Sequence, residues 1–159
     1  MDLSLRTFEA ERAALLEVTE RLTAHQQVAV CTGAWSPREV ILHLVGWDVF
    51  YIGSILNTFA GNPIEPIPAS EKINPQSLAR YAKLSWAEAV ELFRKSSAEL
   101  ADVYGSISLH ARFNPIWREP VVRTPGNVLL MQASHYAHHR EQLARLGELE
   151  GQHRVPLGA

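Results

Sequence analysis

Cysteine is almost absent. Cys31 stands alone, which rules out an internal disulfide and a thiolate zinc cluster and makes a reducing, cytoplasmic setting the expectation. Charge of one sign is lacking too. A net charge of −2 gives no electrostatic reason to expect nucleic acid or an anionic membrane surface as partner. No stretch reaches the roughly 18 uninterrupted apolar residues that a membrane span needs. The opening MDLSLRTFEAERAALLEV intersperses acids and has no apolar core of signal-peptide length. Convincing strand patterns are missing as well; a short extended piece at Val121-Val122 is the most that is expected.

What remains is helical. The 159 residues, 47% hydrophobic and 20% charged, suit one domain with a sizeable core. A first helix is expected from Leu3 to His25, with Leu5, Phe8, Leu15, Leu16 and Leu22 inward. Its charges, Glu11 and Arg12 among them, read as solvated surface. The second helix is announced by Trp35-Ser36-Pro37-Arg38-Glu39, with Ser36 as N-cap, Pro37 at the first position and Glu39 at the third. Gly61 and Pro63 mark its end. It is apolar over much of its circumference, and Asp48 is its only acid after the first turn. A proline-punctuated connection of more than twenty residues follows, with a short helix possible over 76–83. Ser85 and Glu88 open a third helix that stops at Gly105. The irregular stretch 106–123 leads to Thr124-Pro125, which starts a fourth helix ending near Gly147, and residues 151–159 form an expected flexible tail. Residues 1–150 thus predict one all-α domain, a four-helix bundle. The long crossover would leave helices two and three parallel and helix four antiparallel to both.

The stretch QASHYAHHREQLARL, residues 132–146, carries the chemistry. His135 and His139, four apart, point within about 40° of each other on a fairly apolar face. Buried imidazoles need satisfying partners. A metal ion is one solution, and an ordinary hydrogen-bonded polar cluster is the other. A third ligand must come from another helix, where His43 is the candidate. It lies seven residues past its N-cap and His139 fifteen past its own, levels that match in antiparallel helices but would differ by about 12 Å in parallel ones. Three neutral imidazoles with open positions suit zinc, nickel or iron(II). His138 competes with His139, but it turns toward Met131 and Arg145, whereas His135 and His139 bracket the direction of Leu146. Tyr136 stands where a zincin motif needs its Glu, and no residue is singled out as catalytic.

WSPREVILHLVGWD followed far downstream by SHYAHHREQLARL resembles the DinB superfamily. The shared features are a Trp-Ser start to helix two, a His about seven residues on, and a His-x3-His pair running into Arg-x-Gln. The resemblance implies a four-helix bundle with a long second crossover, often dimeric, binding a divalent metal through His43, His135 and His139. The activities it implies are thiol-dependent: a metal-dependent S-transferase or isomerase that uses a low-molecular-weight thiol on a small electrophile. Trp47, Phe50 and Gln142 would line the pocket. Glu141 stands where the family usually has Gly. VGWD and ASHYAHH are also similar to the colibactin self-resistance branch, whose catalysis does not follow the three-histidine pattern. A metal-independent hydrolase or a non-catalytic small-molecule binding protein are the alternatives. Arg112, Arg118 and Arg123 could bind an acidic cosubstrate, or are plain surface.

Overall fold

Side-chain caps set where most of the helices begin. Thr124 and Asn127 bond reciprocally, each backbone N–H to the other's side-chain oxygen at 3.2 Å. Ser85 and Glu88 do the same at 2.8 and 3.2 Å, and the Glu39 carboxylate accepts the Ser36 N–H at 2.9 Å. Each such pair satisfies donors that a helix start leaves orphaned. The structure, a computed structural model, describes residues 2–62, 68–107 and 124–153, with side chains described through 148. Its helices are α1 (Leu3–Arg21), α2 (Ala24–Gln27), α3 (Pro37–Phe59), α4 (Ser70–Arg80), α5 (Trp86–Gly105) and α6 (Pro125–His153).

Four of these, α1, α3, α5 and α6, are the expected long helices. Cross-helix contacts fix their directions. Asp48 meets Ser96 and Tyr51 meets Tyr104, so α3 and α5 run parallel. His43 meets His135, whereas Asp48 meets Gln132, so α6 runs antiparallel to α3. Leu5 lies against Gly105, and Arg12 donates to Ser97 Oγ at 2.7 Å, so α1 is antiparallel to α5. The long 2–3 crossover therefore produces the parallel pair expected of it.

Several details depart from the sequence expectations. The first helix stops at Arg21 instead of His25. Thr23 and Gln26 form a capping box of their own and start α2. Arg12 and Glu11 are not merely solvated: Arg12 reaches Ser97 and the Arg94 carbonyl on α5, and Glu11 accepts from Arg140 on α6 at 3.1 Å. The crossover holds an eleven-residue helix, α4, that continues through Pro75. Proline's missing N–H leaves the Glu71 carbonyl without its helical donor. The last helix passes Gly147 and continues to His153. The expected extended piece at Val121-Val122 and the loop arginines lie outside the described residues, as does 154–159.

α3 is the axis of the bundle. Val40, Ile41, Leu42, Leu44, Val45 and Ile55 are buried, together with Phe8 and Leu15 of α1, Phe93 and Leu100 of α5, and Leu129 and Leu143 of α6. By length and composition α3 could cross a membrane, and here it is the core helix of the bundle. Gly61 adopts φ +77° just past its end, the left-handed turn for which glycine is suited.

Candidate metal centre

The helix directions place three imidazoles at one level. His43 projects from the second turn of α3, and His135 and His139 project from consecutive turns of α6. Their ligand nitrogens all lie within 4.8 Å of one another. His43 Nε2 is 3.1 Å from His135 Nε2, and His139 Nε2 is 3.2 Å from the same atom. Nitrogens bound to one divalent ion at about 2.0–2.1 Å sit roughly 3–3.5 Å apart. The spacing fits an ion.

The back of each ring agrees. His43 Nδ1 lies 2.5 Å from the Val40 carbonyl, His139 Nδ1 lies 2.6 Å from Gln142 Oε1, and His135 Nδ1 lies 3.4 Å from Gln132 Oε1. The Val40 carbonyl, an acceptor only, puts the His43 proton on Nδ1. With the amide oxygens of Gln132 and Gln142 facing the other two Nδ1 atoms, all three Nε2 lone pairs face one another. Such an arrangement is repulsive without a cation and well suited to one, because metal-ligating histidines commonly donate their other N–H to an oxygen. Protonation is suppressed as well. Burial, then the charges of His135 and His139, drives His43 down to about 2. Burial followed by the neighbouring imidazoles drives His135 to about 3, and His139 is lowered mainly by burial. The cluster stays neutral near pH 7, which is the state a metal needs.

A cavity of about 470 Å³ opens beside the cluster. His43 and His135 form part of its wall. Trp47, Tyr51 and Met131 supply apolar surface, and Ala69, Ser70, Glu71 and Asn74 come from α4 and its approach. Glu71 is the one charged side chain among the described lining residues. α4 is held in place by Trp47 Nε1, which donates to Asn74 Oδ1 at 3.1 Å. It also sits very close to α3 at Gly46, where a Cβ would fall 1.9 Å from Ser77 Oγ.

Of the residues expected from sequence, His43, His135, His139 and Trp47 come together here. Phe50 does not line the cavity; its ring packs edge-on to Trp47 at a centroid distance of 6.0 Å. Gln142 is also off the cavity wall. It accepts from His139 and donates to Thr32 Oγ1 at 3.3 Å, which makes it an orienting residue for the cluster. His138 is exposed and outside the cluster, its Nε2 3.3 Å from Gln142 Nε2. The short helix expected over 76–83 is α4, Ser70–Arg80, which begins earlier, and sequence reasoning gave no role to the buried group behind the histidines. Asp48 is fully buried and lies 2.5 Å from the Tyr136 hydroxyl, 2.7 Å from Gln132 Nε2 and 2.7 Å from Ser96 Oγ. A lone acid in a helix that is apolar nearly all round was the available signal, since such a group must be buried and bonded.

The fold and the cluster together define a helical bundle that can hold a metal ion between α3 and α6. The chain belongs to the DinB superfamily, whose pattern it matches over residues 7–143. No curated protein sequence matches it. Among solved structures it is similar to the colibactin self-resistance protein ClbS in complex with double-stranded DNA, with a TM-score of 0.75, 15% identity, and coverage of 91% of this chain and 93% of that one. YfiT from Bacillus subtilis, described as a probable metal-dependent hydrolase with an unusual four-helix bundle topology, gives a TM-score of 0.70 at 18% identity, covering 93% and 86%. The mycothiol-dependent maleylpyruvate isomerase gives 0.72 at 13% identity, covering 88% of this chain and 59% of that one. Identities this low carry the fold alone.

Proposed function

We propose that this chain is a divalent-metal-dependent enzyme that sets a small nucleophile, in the first instance a low-molecular-weight thiol, against a small electrophile in the cavity beside α4. The observation that carries the reading is the convergence of three imidazole nitrogens next to a cavity of ligand size. His43, His135 and His139 would hold zinc, nickel or iron(II). A divalent ion there would supply Lewis acidity and lower the pKa of a thiol or water in its coordination sphere. Trp47, Tyr51 and Met131 form the apolar wall against which an electrophile would lie, and their bulk excludes water from that side. The mycothiol-dependent isomerase among the structural neighbours supports the thiol.

Hydrolysis is the second reading. Glu71 favours it, as a carboxylate on the cavity wall able to take a proton from water. YfiT, named a probable metal-dependent hydrolase, supports the same reading. The resemblance also suggests a homodimer, for which Val49, Leu56 and Phe59 offer exposed apolar surface along α3.

Metal content by plasma mass spectrometry tests the reading, on untagged protein and on a His43→Ala, His139→Ala double variant. Near one equivalent in the parent, lost in the variant, is expected. No metal after purification without chelator and none after soaking in zinc or nickel would overturn it. With metal bound, zinc- and nickel-loaded protein would be assayed for thiol conjugation and for hydrolysis of the same electrophiles. Turnover that depends on added thiol selects the first reading, and thiol-independent hydrolysis the second.

A further inference from the structure

We infer that Asp48, buried and out of reach of the cavity, is a positioning residue that selects the metal-ligating tautomer of His135 through the side chain of Gln132. The inference rests on the metal reading above and concerns how the empty-handed protein keeps the cluster ready.

His135 and His139 each face a side-chain amide and are the ambiguous members. The Thr32 hydroxyl beside Gln142 can donate or accept and fixes nothing, whereas the Gln132 amide is anchored. His43 Nδ1 faces a backbone carbonyl, which accepts only, so its Nε2 is left as a lone pair. Gln142 Oε1 faces His139 Nδ1 at 2.6 Å while the same amide donates to Thr32 Oγ1. His135 has two self-consistent states. In one, Nδ1–H donates to Gln132 Oε1 and Nε2 is free to ligate. In the other, Nε2–H donates to His43 Nε2, 3.1 Å away, and Nδ1 accepts from a Gln132 amide turned end for end. The second state is the metal-free hydrogen-bonded cluster. A side-chain amide is a donor at one end and an acceptor at the other, so whatever fixes Gln132 chooses between the states.

Asp48 fixes it. Gln132 Nε2 donates to Asp48 Oδ1 at 2.7 Å; Asp48 is fully buried, and Gln132 is buried at the edge of the cavity. Turning the amide would set Gln132 Oε1 against Asp48 Oδ1, two acceptors at contact in a buried site. The Tyr136 hydroxyl donates to the same Oδ1 and holds the carboxyl from the other side. The selection does not need a charged Asp48. A proton can sit on Oδ2 and be donated to Ser96 Oγ at 2.7 Å, since Ser96 can pass its own to the Phe93 carbonyl at 3.3 Å. Oδ1 remains an acceptor in both forms.

The test uses Asp48→Leu, which removes the acceptor, Gln132→Met and the double variant, with zinc as the metal. Long-range 1H–15N spectra of the metal-free protein report which His135 nitrogen carries the proton, and competition with a chromophoric chelator reports zinc affinity. The parent is expected to show an Nδ1-protonated His135. Each single variant should lose that signature and bind zinc about 10–100-fold more weakly, the range for outer-shell partners. If Asp48 acts through Gln132, the double variant binds no worse than Gln132→Met alone. An unchanged His135 signature in Gln132→Met, or losses that multiply in the double variant, would overturn the inference. Should Asp48→Leu fail to fold, Asp48→Asn decides. It keeps Oδ1 as acceptor and can donate to Ser96 from Nδ2, so it should retain the signature, and its loss there would overturn the inference. A parent that binds no zinc yet shows the Nδ1-protonated His135 that Asp48→Leu and Gln132→Met lose would sink the metal reading and leave the positioning role standing.

Discussion

At the scale of the residue, the metal-cluster candidates were legible because spacing on a helix is simple arithmetic. His135 and His139 share a face, and His43 matches their level only if α3 and α6 run antiparallel, as they do. The choice of His139 over its neighbour His138 yields a direct check. His139 is buried with its Nε2 in the cluster, whereas His138 is exposed. His139→Ala is therefore expected to weaken zinc binding by more than about a hundredfold, beyond an outer-shell loss. His138→Ala should leave the affinity within about threefold. Isothermal titration on the two variants reads both, and equal losses would reassign the third ligand. Asp48, Gln132 and Gln142 were harder to read, because their roles depend on which way an amide points across two helices. Periodicity places a side chain on a face; it says nothing about a hydrogen bond made beyond that face.

At the scale of the element, the sequence showed α4 only in part, as a short helix over 76–83, and concealed its start at Ser70. Its prolines read as loop punctuation, and Pro75 does remove a helical hydrogen bond, but Ile73 and Ser77 are buried and hold the helix against α3. Tertiary packing overrode a local propensity. The same holds for α2, where the Thr23–Gln26 box was written in the chain yet lay within an otherwise continuous apolar pattern. The close approach at Gly46 gives a prediction for this docking. Glycine inside a helix usually costs about 1 kcal/mol relative to alanine. Here a Cβ would collide with Ser77 Oγ and Cβ, at 1.9 and 2.6 Å. Gly46→Ala is thus expected to lower stability by about 1–3 kcal/mol, the range for overpacking, instead of raising it. Urea denaturation measures the change. Trp47→Phe belongs to the same element, since it removes the indole N–H bonded to Asn74. It should cost about 1 kcal/mol and raise amide exchange in α4 selectively, whereas a rise spread evenly over the bundle would count against a local clamp.

At the scale of the whole molecule, the buried titratable groups make folding, protons and metal one equilibrium. His43 and His135 stay neutral in the folded protein down to about 3 or below, and His139 is shifted the same way. The unfolded chain takes up their protons near pH 6.5. Below that pH the unfolded state binds more protons at these sites, so acid destabilises the metal-free fold. Asp48 acts in the opposite sense. Burial, partly offset by its three donors, raises it to about 7. The folded state therefore holds a proton that the unfolded state releases above about pH 4, which offsets one imidazole. The balance favours the histidines. Metal-free protein is expected to lose at least about 1.4 kcal/mol per pH unit between about pH 6 and 5. Bound zinc adds stability only through the native state, about 2.7 kcal/mol at a free concentration one hundred times Kd. For a chain of this length that is about 5–10 °C in Tm. The gain should vanish with chelator, be absent in the His43→Ala, His139→Ala variant, and shrink as pH falls, because protons compete for the same nitrogens. Calorimetry at about pH 7.5 and about pH 5.5, with and without zinc, measures all three. A zinc-induced rise that survives in the double variant would place the stabilising ion elsewhere on the molecule.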